Sequence, residues 1–546
     1  MPIQTPYSSL SALVVDDMAV QQTTLRGQLA SLGIGRVDAA GTAEDALRLV
    51  RSRPYGLILC DYNLNQKTDG QQLFEHLRET GALPPDCLFF MITAENAYAS
   101  VASATEHRPD AYLLKPITAA DISERLKMLI ERRQALLGIH QRLGRRDLAG
   151  ALGECDKVLK RKDRWFVQAM QLQGDILLQL GRHAEARSLY EQAIALRADQ
   201  AWAQVGLAKA LKAAGDLEAA RQLAADILAS PAGGKHLAAY DVLAQSLEAL
   251  GRDAEALQAL ADAAAVVPSA KRQRLLGESA YRQGELAIAR DALRKATKAT
   301  QGAMNAQPQD SLTLAQAQVD LGDLAGAIGT LKEAGRTLQG EARLEAAAAA
   351  IGAQAQARAG DPAAAAASAA RARDALKQAG ADFATIAVAK AQLVAGSAAD
   401  GLALLGSAVA IDHESPALRG LVARTLRETG HEDRLAEIVD APAAAVTARV
   451  DAARRLLREG QVDEALAAIE ETARLHAENT GVLLQAAQIH CLSLRLRRRA
   501  DAGTTERIAL YFARLDKLMP GSDRLAQLRR YYADSLRELA AAPAAA

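Results

Sequence analysis

Apolar and polar positions fall into two rhythms along the 546-residue chain. Up to about residue 120, short apolar runs alternate with stretches whose apolar positions recur at helical spacing. ALVV (12–15), LILC (57–60), LFFMI (88–92) and AYLL (111–114) each stop at a polar or charged residue, and a weaker run, GRVDAA, covers 35–40. Amphipathic stretches such as QTTLRGQLASLG and AEDALRLVRSR lie between them. Unbroken apolar runs separated by helical patterns predict parallel strands buried on both faces, in a doubly wound five-stranded α/β sheet. Sheets of this kind hold ligands at the carboxyl ends of their strands.

Beyond residue 120 only the helical rhythm remains. Glycines at 144, 181, 215, 251, 284, 322, 360, 396, 430 and 460 punctuate it, at gaps of 30 to 38 residues. Each sits in a phrase like LLQLGRHAEARSLYEQAIAL. A Gly or Ala recurs seven residues before the glycine and five residues after it, with Leu137 and Leu435 as the exceptions. Small residues at two fixed places let paired helices approach, and the glycine supplies the turn. The period predicts an all-α superhelical solenoid of helical hairpins. Its clearest units are 166–199, 202–231 and 237–268; units beyond 300 drift.

The expected division is an α/β domain over 1–120, hairpin repeats over 121–500, capping helices over 501–538 and a disordered tail over 539–546. The last helix of the first domain is expected to continue to about 143. Ile122, Leu126, Leu129, Ile130, Leu136 and Leu137 keep helical spacing up to Gly144, with Gly138 the only soft spot. A continuous helix makes a stiff connector.

Composition narrows the function classes. Lys+Arg and Asp+Glu are both 65, so the chain lacks the one-signed field of a DNA or membrane-surface binder. Cys60, Cys87, Cys155 and Cys491 show no CxxC spacing, which disfavours zinc and disulfides and fits a reducing cytoplasm. The start, MPIQTPYSSL, has no signal-peptide pattern, and no apolar run approaches the ~18 residues of a membrane span. There is no P-loop, HExxH or GxSxG, and His76, His140, His183 and His490 lie in helical patterns as surface or packing residues, so no enzyme is expected. Arg495, Arg497, Arg498 and Arg499 read as a solvated helix face, with RNA or an acidic protein as the alternative. Tyr511, Phe512, Tyr531 and Tyr532 are expected to close the solenoid's end; a homodimer interface is the alternative.

Chemistry gathers where strands stop. The first strand ends at Asp16 and Asp17, and the third at Asp61. Neighbouring strands would bring three carboxylates to one edge, where they must take up protons unless a cation lies among them. Such an oxygen-rich acidic site suits Mg2+, and a carboxylate can itself accept a phosphoryl group. Thr93 offers a hydroxyl and Lys115 a positive charge at the other strand ends, and Pro116 fixes the backbone there, with a cis bond as one way.

VVDD (14–17), CDYNL (60–64), DG (69–70), MITA (91–94) and LLKP (113–116) make residues 11–130 resemble the receiver domain of bacterial two-component response regulators. The resemblance implies a flavodoxin-like fold in which a histidine kinase or phosphotransfer protein phosphorylates Asp61. It further implies that Asp16, Asp17, Asp61 and the backbone carbonyl of Asn63 hold Mg2+, that Thr93 and Lys115 contact the phosphoryl group, and that Tyr112 is the aromatic switch residue. Three features depart from the family or bear on its rates. Asn65 stands where the family commonly has proline, and the Asp-Gly pair arrives one residue late. Glu95 lies where side chains govern access of the hydrolytic water.

The second half resembles the tetratricopeptide repeat (TPR) family, which implies an unidentified protein or peptide partner on the concave face. Together the resemblances imply a response regulator whose output is phosphorylation-controlled protein binding. The alternatives are a phosphate sink or kinase-docking competitor in a branched phosphorelay, and a phosphorylation-independent scaffold.

Overall fold

The computed structural model describes residues 7–8, 10–65, 67–84, 87–94, 109–145, 147–197, 199–230, 236–519 and 523–541. The chain forms two compact units: Met1–Leu276 with Arg294–Gln307, and Gly277–Leu293 with Pro308–Ala546.

In the first unit, strands β1 (Ser11–Val15), β2 (Arg36–Ala40), β3 (Leu57–Asp61), β4 (Leu88–Thr93) and β5 (Ala111–Leu114) form one parallel sheet in the order β2-β1-β3-β4-β5. Every residue of β3 and β4 is buried. Alternate side chains serve two cores. Leu13, Val15, Ile58, Cys60, Phe89 and Met91 pack on one face with Phe74 and Leu77 of α3 (Gly70–Glu79). Ala12, Val14, Leu59, Phe90 and Ile92 pack on the other face with Leu25 and Leu29 of α1 (Ala19–Ser31). Helix α2 (Ala43–Ser52) adds Ala43, Ala46 and Val50 to the first face. Burial on both sides is why the runs carry no polar alternation. β2 is an edge strand with Arg36 exposed, which accounts for its weaker signal.

Helix α4 (Ala119–Gly144) is one unbroken element. Thr118 caps it: the Thr118 hydroxyl accepts from the Asp121 N–H, and the Asp121 carboxylate accepts from the Thr118 N–H at 2.8 Å. Ile122, Leu126 and Leu129 belong to the sheet's core, whereas Leu136 and Ile139 pack with Leu148, Leu152 and Cys155 of the next helix, Leu148–Arg161. Two hydrophobic cores thus share one rod. Gly138 is a packing point and not a break, because a Cβ there would lie 2.8 Å from Glu154 Oε2.

The hairpins follow the glycine rhythm. Gly181, Gly215, Gly251, Gly284, Gly322, Gly360, Gly396, Gly430 and Gly460 all have φ between 69° and 89°, the left-handed turn that ends a helix cheaply only at glycine. Gly144 is not among them and simply ends α4. Helices Phe166–Gln179, His183–Leu196 and Ala201–Ala213 show what small residues do: a Cβ on Gly174 would lie 2.5 Å from the Tyr190 ring, and one on Gly206 2.2 Å from it.

In the second unit the alanine-rich stretch folds as the hairpin Ala342–Arg358 and Pro362–Leu376, with Ala347, Ala350, Ala353, Ala369 and Ala372 buried. One unit departs from the pattern. After Gly430 a 3-10 turn (Glu432–Arg434) and a π-helical stretch (Ala436–Asp440) run straight into helix Ala441–Arg458. This is the unit whose small residue is replaced by Leu435, which packs partly buried against the core.

Four helices also meet on one buried polar cluster in this unit: Ala270–Gln283 (through Tyr281), Pro308–Asp320, Phe383–Val394 and Pro416–Glu428. The Asp320 side chain, 2% exposed, accepts from Lys390 Nζ at 2.7 Å and from the Tyr281 hydroxyl at 3.1 Å. Lys390 also reaches Glu428 at 2.6 Å. Arg424 pairs with Glu428 at 2.6 Å, lies 3.5 Å from Asp320, and stacks 4.4 Å from the centre of the Tyr281 ring. Burial pushes the Glu428 carboxyl up, but Lys390 and Arg424 outweigh it and hold it below its usual range.

The C-terminal end closes with helices Thr480–Arg497, Ala502–Leu518 and Asp523–Ala541, the last running past 538; residues 542–546 lie outside the described residues. Tyr511 and Phe512 are buried in this core, and Tyr531 and Tyr532 pack against it. Arg495 donates to Ser535 Oγ at 2.9 Å, pairs with Glu538 at 2.9 Å and stacks on Tyr531, while Arg497 pairs with Asp463. Two of the four clustered arginines are therefore engaged inside the chain. His490 is 2% exposed beside Tyr511, and burial, followed by the charge of Arg507, pushes its pKa down to about 4.

An unfolded histidine binds a proton near pH 6.5, which folded His490 refuses until about pH 4. Its contribution is thus complete above pH 6.5 and is lost as pH falls toward 4, by about 3 kcal/mol. Urea midpoints between pH 7 and 4 should show that loss in the wild type and a flatter profile in His490→Phe.

Candidate phosphoacceptor and metal site

The register of the sheet brings the strand ends together. Val15 lies opposite Cys60, Asp61 opposite Ile92 and Thr93 opposite Leu114, so Asp16, Asp61, Thr93 and Lys115 emerge at one edge. The strand order turns outward on either side of β1, and such a point is where open α/β sheets hold ligands.

Asp16, Asp17 and Asp61 each offer a carboxylate oxygen, and these oxygens lie within 4.8 Å of one another. Asp16 is wholly buried and Asp61 is 7% exposed. Lys115 Nζ donates to Asp61 Oδ2 at 2.6 Å and stands 3.8 Å from Asp16 Oδ2. The Met18 N–H donates to Asp16 Oδ1 at 2.8 Å, whereas buried Asp16 Oδ2 has no hydrogen-bond partner. Burial raises the Asp16 pKa, and the charges of Asp61 and Asp17 add to the rise against Met18 and Lys115. An orphaned carboxylate oxygen facing two further acids fits a hard divalent cation such as Mg2+.

Thr93 is buried, and its hydroxyl donates to the Ala94 carbonyl at 3.3 Å. The Lys115–Pro116 peptide is cis. Tyr112 is half-buried and packs, with Tyr62, against the core on the α3 face. Asn63 is exposed, and its side-chain Oδ1 accepts from the Asn65 N–H at 3.0 Å. Glu95 lies outside the described residues. The late Asp-Gly pair has a defined role. Asp69 caps α3 through the Gln72 N–H at 2.7 Å, and a Cβ on Gly70 would lie 2.0 Å from the Asp61 carbonyl oxygen. Only glycine lets α3 begin against the acceptor's own backbone.

Asn65 touches the acidic cluster, a contact the sequence did not announce. It is left-handed, with φ +49°, and its Nδ2 donates to Asp17 Oδ2 at 2.7 Å. The signal available was asparagine itself, which tolerates this conformation more readily than most residues.

Residues 12–127 match the family model described as the response regulator receiver domain, and residues 177–239 match one described as a tetratricopeptide repeat. Among curated proteins, the probable chemotaxis protein CheY of Rhizobium etli is 28% identical over 122 residues, 22% of this chain and 90% of that protein. Chemotaxis protein CheY-3 of Vibrio cholerae is 27% identical over 127 residues, 23% of this chain and 94% of that protein. Solved structures that resemble the chain include a tetratricopeptide repeat protein from Parabacteroides merdae (14% identity, 45% of this chain, 97% of that one, TM-score 0.29). Another is a Rap protein complexed with competence and sporulation factor (12% identity, 68% of this chain, 99% of that one, TM-score 0.30).

The chain therefore carries a flavodoxin-like response regulator receiver domain, followed by a TPR-like helical solenoid. This is the makeup of response-regulator-type signalling joined to a protein-interaction module. Among the described residues no helix is long and apolar enough to cross a membrane.

Proposed function

We propose that Asp61 accepts a phosphoryl group from a histidine kinase or phosphotransfer protein, and that the repeats bind a protein partner under its control. The observation that carries the reading is the Lys115–Asp61 contact at 2.6 Å beside two further carboxylates. One oxygen of Asp61 forms the new P–O bond as the donor's P–N bond breaks, and the imidazole leaves with the electron pair. Asp16, Asp17, Asp61 and the Asn63 carbonyl would hold Mg2+, which supplies neutralisation of phosphoryl charge. Lys115 offsets charge from the other side, and the Thr93 hydroxyl, in this reading, turns to donate to a phosphoryl oxygen. Apart from gaining and losing this group, the chain performs no catalysis in this reading, and it works in the cytoplasm.

The test is incubation of the full chain with Mg2+ and acetyl phosphate. An acid-stable, base-labile acyl phosphate should form on Asp61 and be absent in Asp61→Asn and in EDTA. Absence of label, or equal label in Asp61→Asn, overturns the reading.

A further inference from the structure

Residues 294–307, the last turns of helix Leu286–Ala299 and the link that follows it, are part of the same compact unit as the receiver. They meet it at one place. Gln72 Nε2 donates to the Ala299 carbonyl at 3.1 Å, and the Met304 N–H donates to Thr68 Oγ1 at 3.1 Å. Thr68 is 1% exposed. Lys67 lies over Gly302, where a Cβ would stand 2.7 Å from Lys67 Cδ. Met304 packs against the same apolar core as Tyr62 and Tyr112. Every receiver group here belongs to the acceptor loop, to the first turn of α3, or to β5.

We propose that residues 299–304 are a latch that reads the state of Asp61 within the same chain. The latch is seated while Asp61 is a free carboxylate bonded to Lys115, and it is released when Asp61 is phosphorylated. The inference rests on the reading of Asp61 as phosphoacceptor.

The acceptor loop is tied to its strand. The Tyr62 N–H donates to the Ile92 carbonyl at 2.8 Å, and the Gly70 N–H donates to the Tyr62 carbonyl at 2.8 Å. A rearrangement at Asp61 is therefore carried to Tyr62 and Thr68. A phosphoryl group replaces the single negative charge of the Asp61 carboxylate with roughly two, a net gain of about one at the head of this loop. Lys67 is the only cation between Tyr62 and Asp69. Attraction of Lys67 toward the new charge uncovers Gly302, and movement of Thr68 removes the acceptor of the Met304 N–H. Coupling of this kind is reciprocal: whatever the phosphoryl group does to the latch, opening the latch does to phosphoryl affinity.

Hydrogen exchange on the full chain, with and without Mg2+ and beryllofluoride, tests the latch. Beryllofluoride should speed exchange of 299–304 about tenfold in the wild type and leave Asp61→Asn unchanged. Met304→Asp should show the faster exchange without beryllofluoride and should bind beryllofluoride about tenfold more tightly. Met304→Ala should shift both readouts in the same direction by less, and it serves if the aspartate misfolds. Beryllofluoride binding with unchanged exchange at 299–304, or no gain in affinity in either variant, overturns the latch alone. No beryllofluoride binding by wild type overturns the phosphoacceptor reading and the latch with it.

Discussion

Asp320→Ala should destabilise the second unit by about 3–5 kcal/mol, the loss that follows when one partner of a buried ion pair is removed. Asp320 accepts from Lys390 and the Tyr281 hydroxyl and lies 3.5 Å from Arg424. Without it, two cations that are 5% and 9% exposed at their side chains would share Glu428 as their one carboxylate in the cluster. Asp320→Asn keeps the shape and an acceptor oxygen but loses the charge, and should fall between the alanine variant and the wild type. Asp463→Ala is the control, because the Asp463 side chain is 91% exposed in its pair with Arg497 and such pairs contribute about 1 kcal/mol or less. Urea unfolding of the three variants reads the series directly. A loss for Asp320→Ala no larger than that for Asp463→Ala would mean the cluster is solvated and its charges act separately.

The cluster also bears on where a partner can bind. Helices of this unit spend Lys390, Arg424, Asp320 and Glu428 on one another, which leaves none of these charges free for a peptide. The proposed partner surface is better sought on hairpins outside this stretch, such as those over 166–268, whose pattern is also the most regular.

How far the sequence could be read follows from the range of each interaction. Strands buried on both faces leave unbroken apolar runs, and the residue at which a run stops lies at the sheet's edge. Asp16, Asp61, Thr93 and Lys115 were legible for that reason. The hairpin turns were legible because a left-handed backbone selects glycine and leaves a period behind it. Gly144 and Leu435 mark where the period misleads: one ends a shared helix, and the other stands between a 3-10 turn and a π-helical stretch that runs into the next helix. Contacts between distant positions left weaker traces. Asp320, Arg424 and Glu428 each look like ordinary surface charges on a helix. Lys390 carried the one readable hint, a lone charge in the stretch FATIAVAKAQLV. Nothing in the sequence ties Thr68 to Met304, 236 positions away.

Asn65→Pro should weaken Mg2+ binding by about 10–100-fold, the loss typical when a group that orients a metal ligand is removed. Proline would undo three things at once. It cannot adopt φ +49°, because its ring holds φ near about −65°. It has no N–H to give Asn63 Oδ1, and no amide to hold Asp17 Oδ2 at 2.7 Å. Asn65→Gly separates these effects, since glycine keeps the left-handed backbone and the N–H and loses only the amide. The expected order of Mg2+ affinity is therefore wild type, then Asn65→Gly, then Asn65→Pro, read by calorimetric titration of the full chain. Equal affinity in all three would show that Asp17 needs no orienting partner and that the acceptor loop tolerates either backbone hand. If glycine already matched proline, the asparagine amide would be the whole of the effect, and the turn around it incidental.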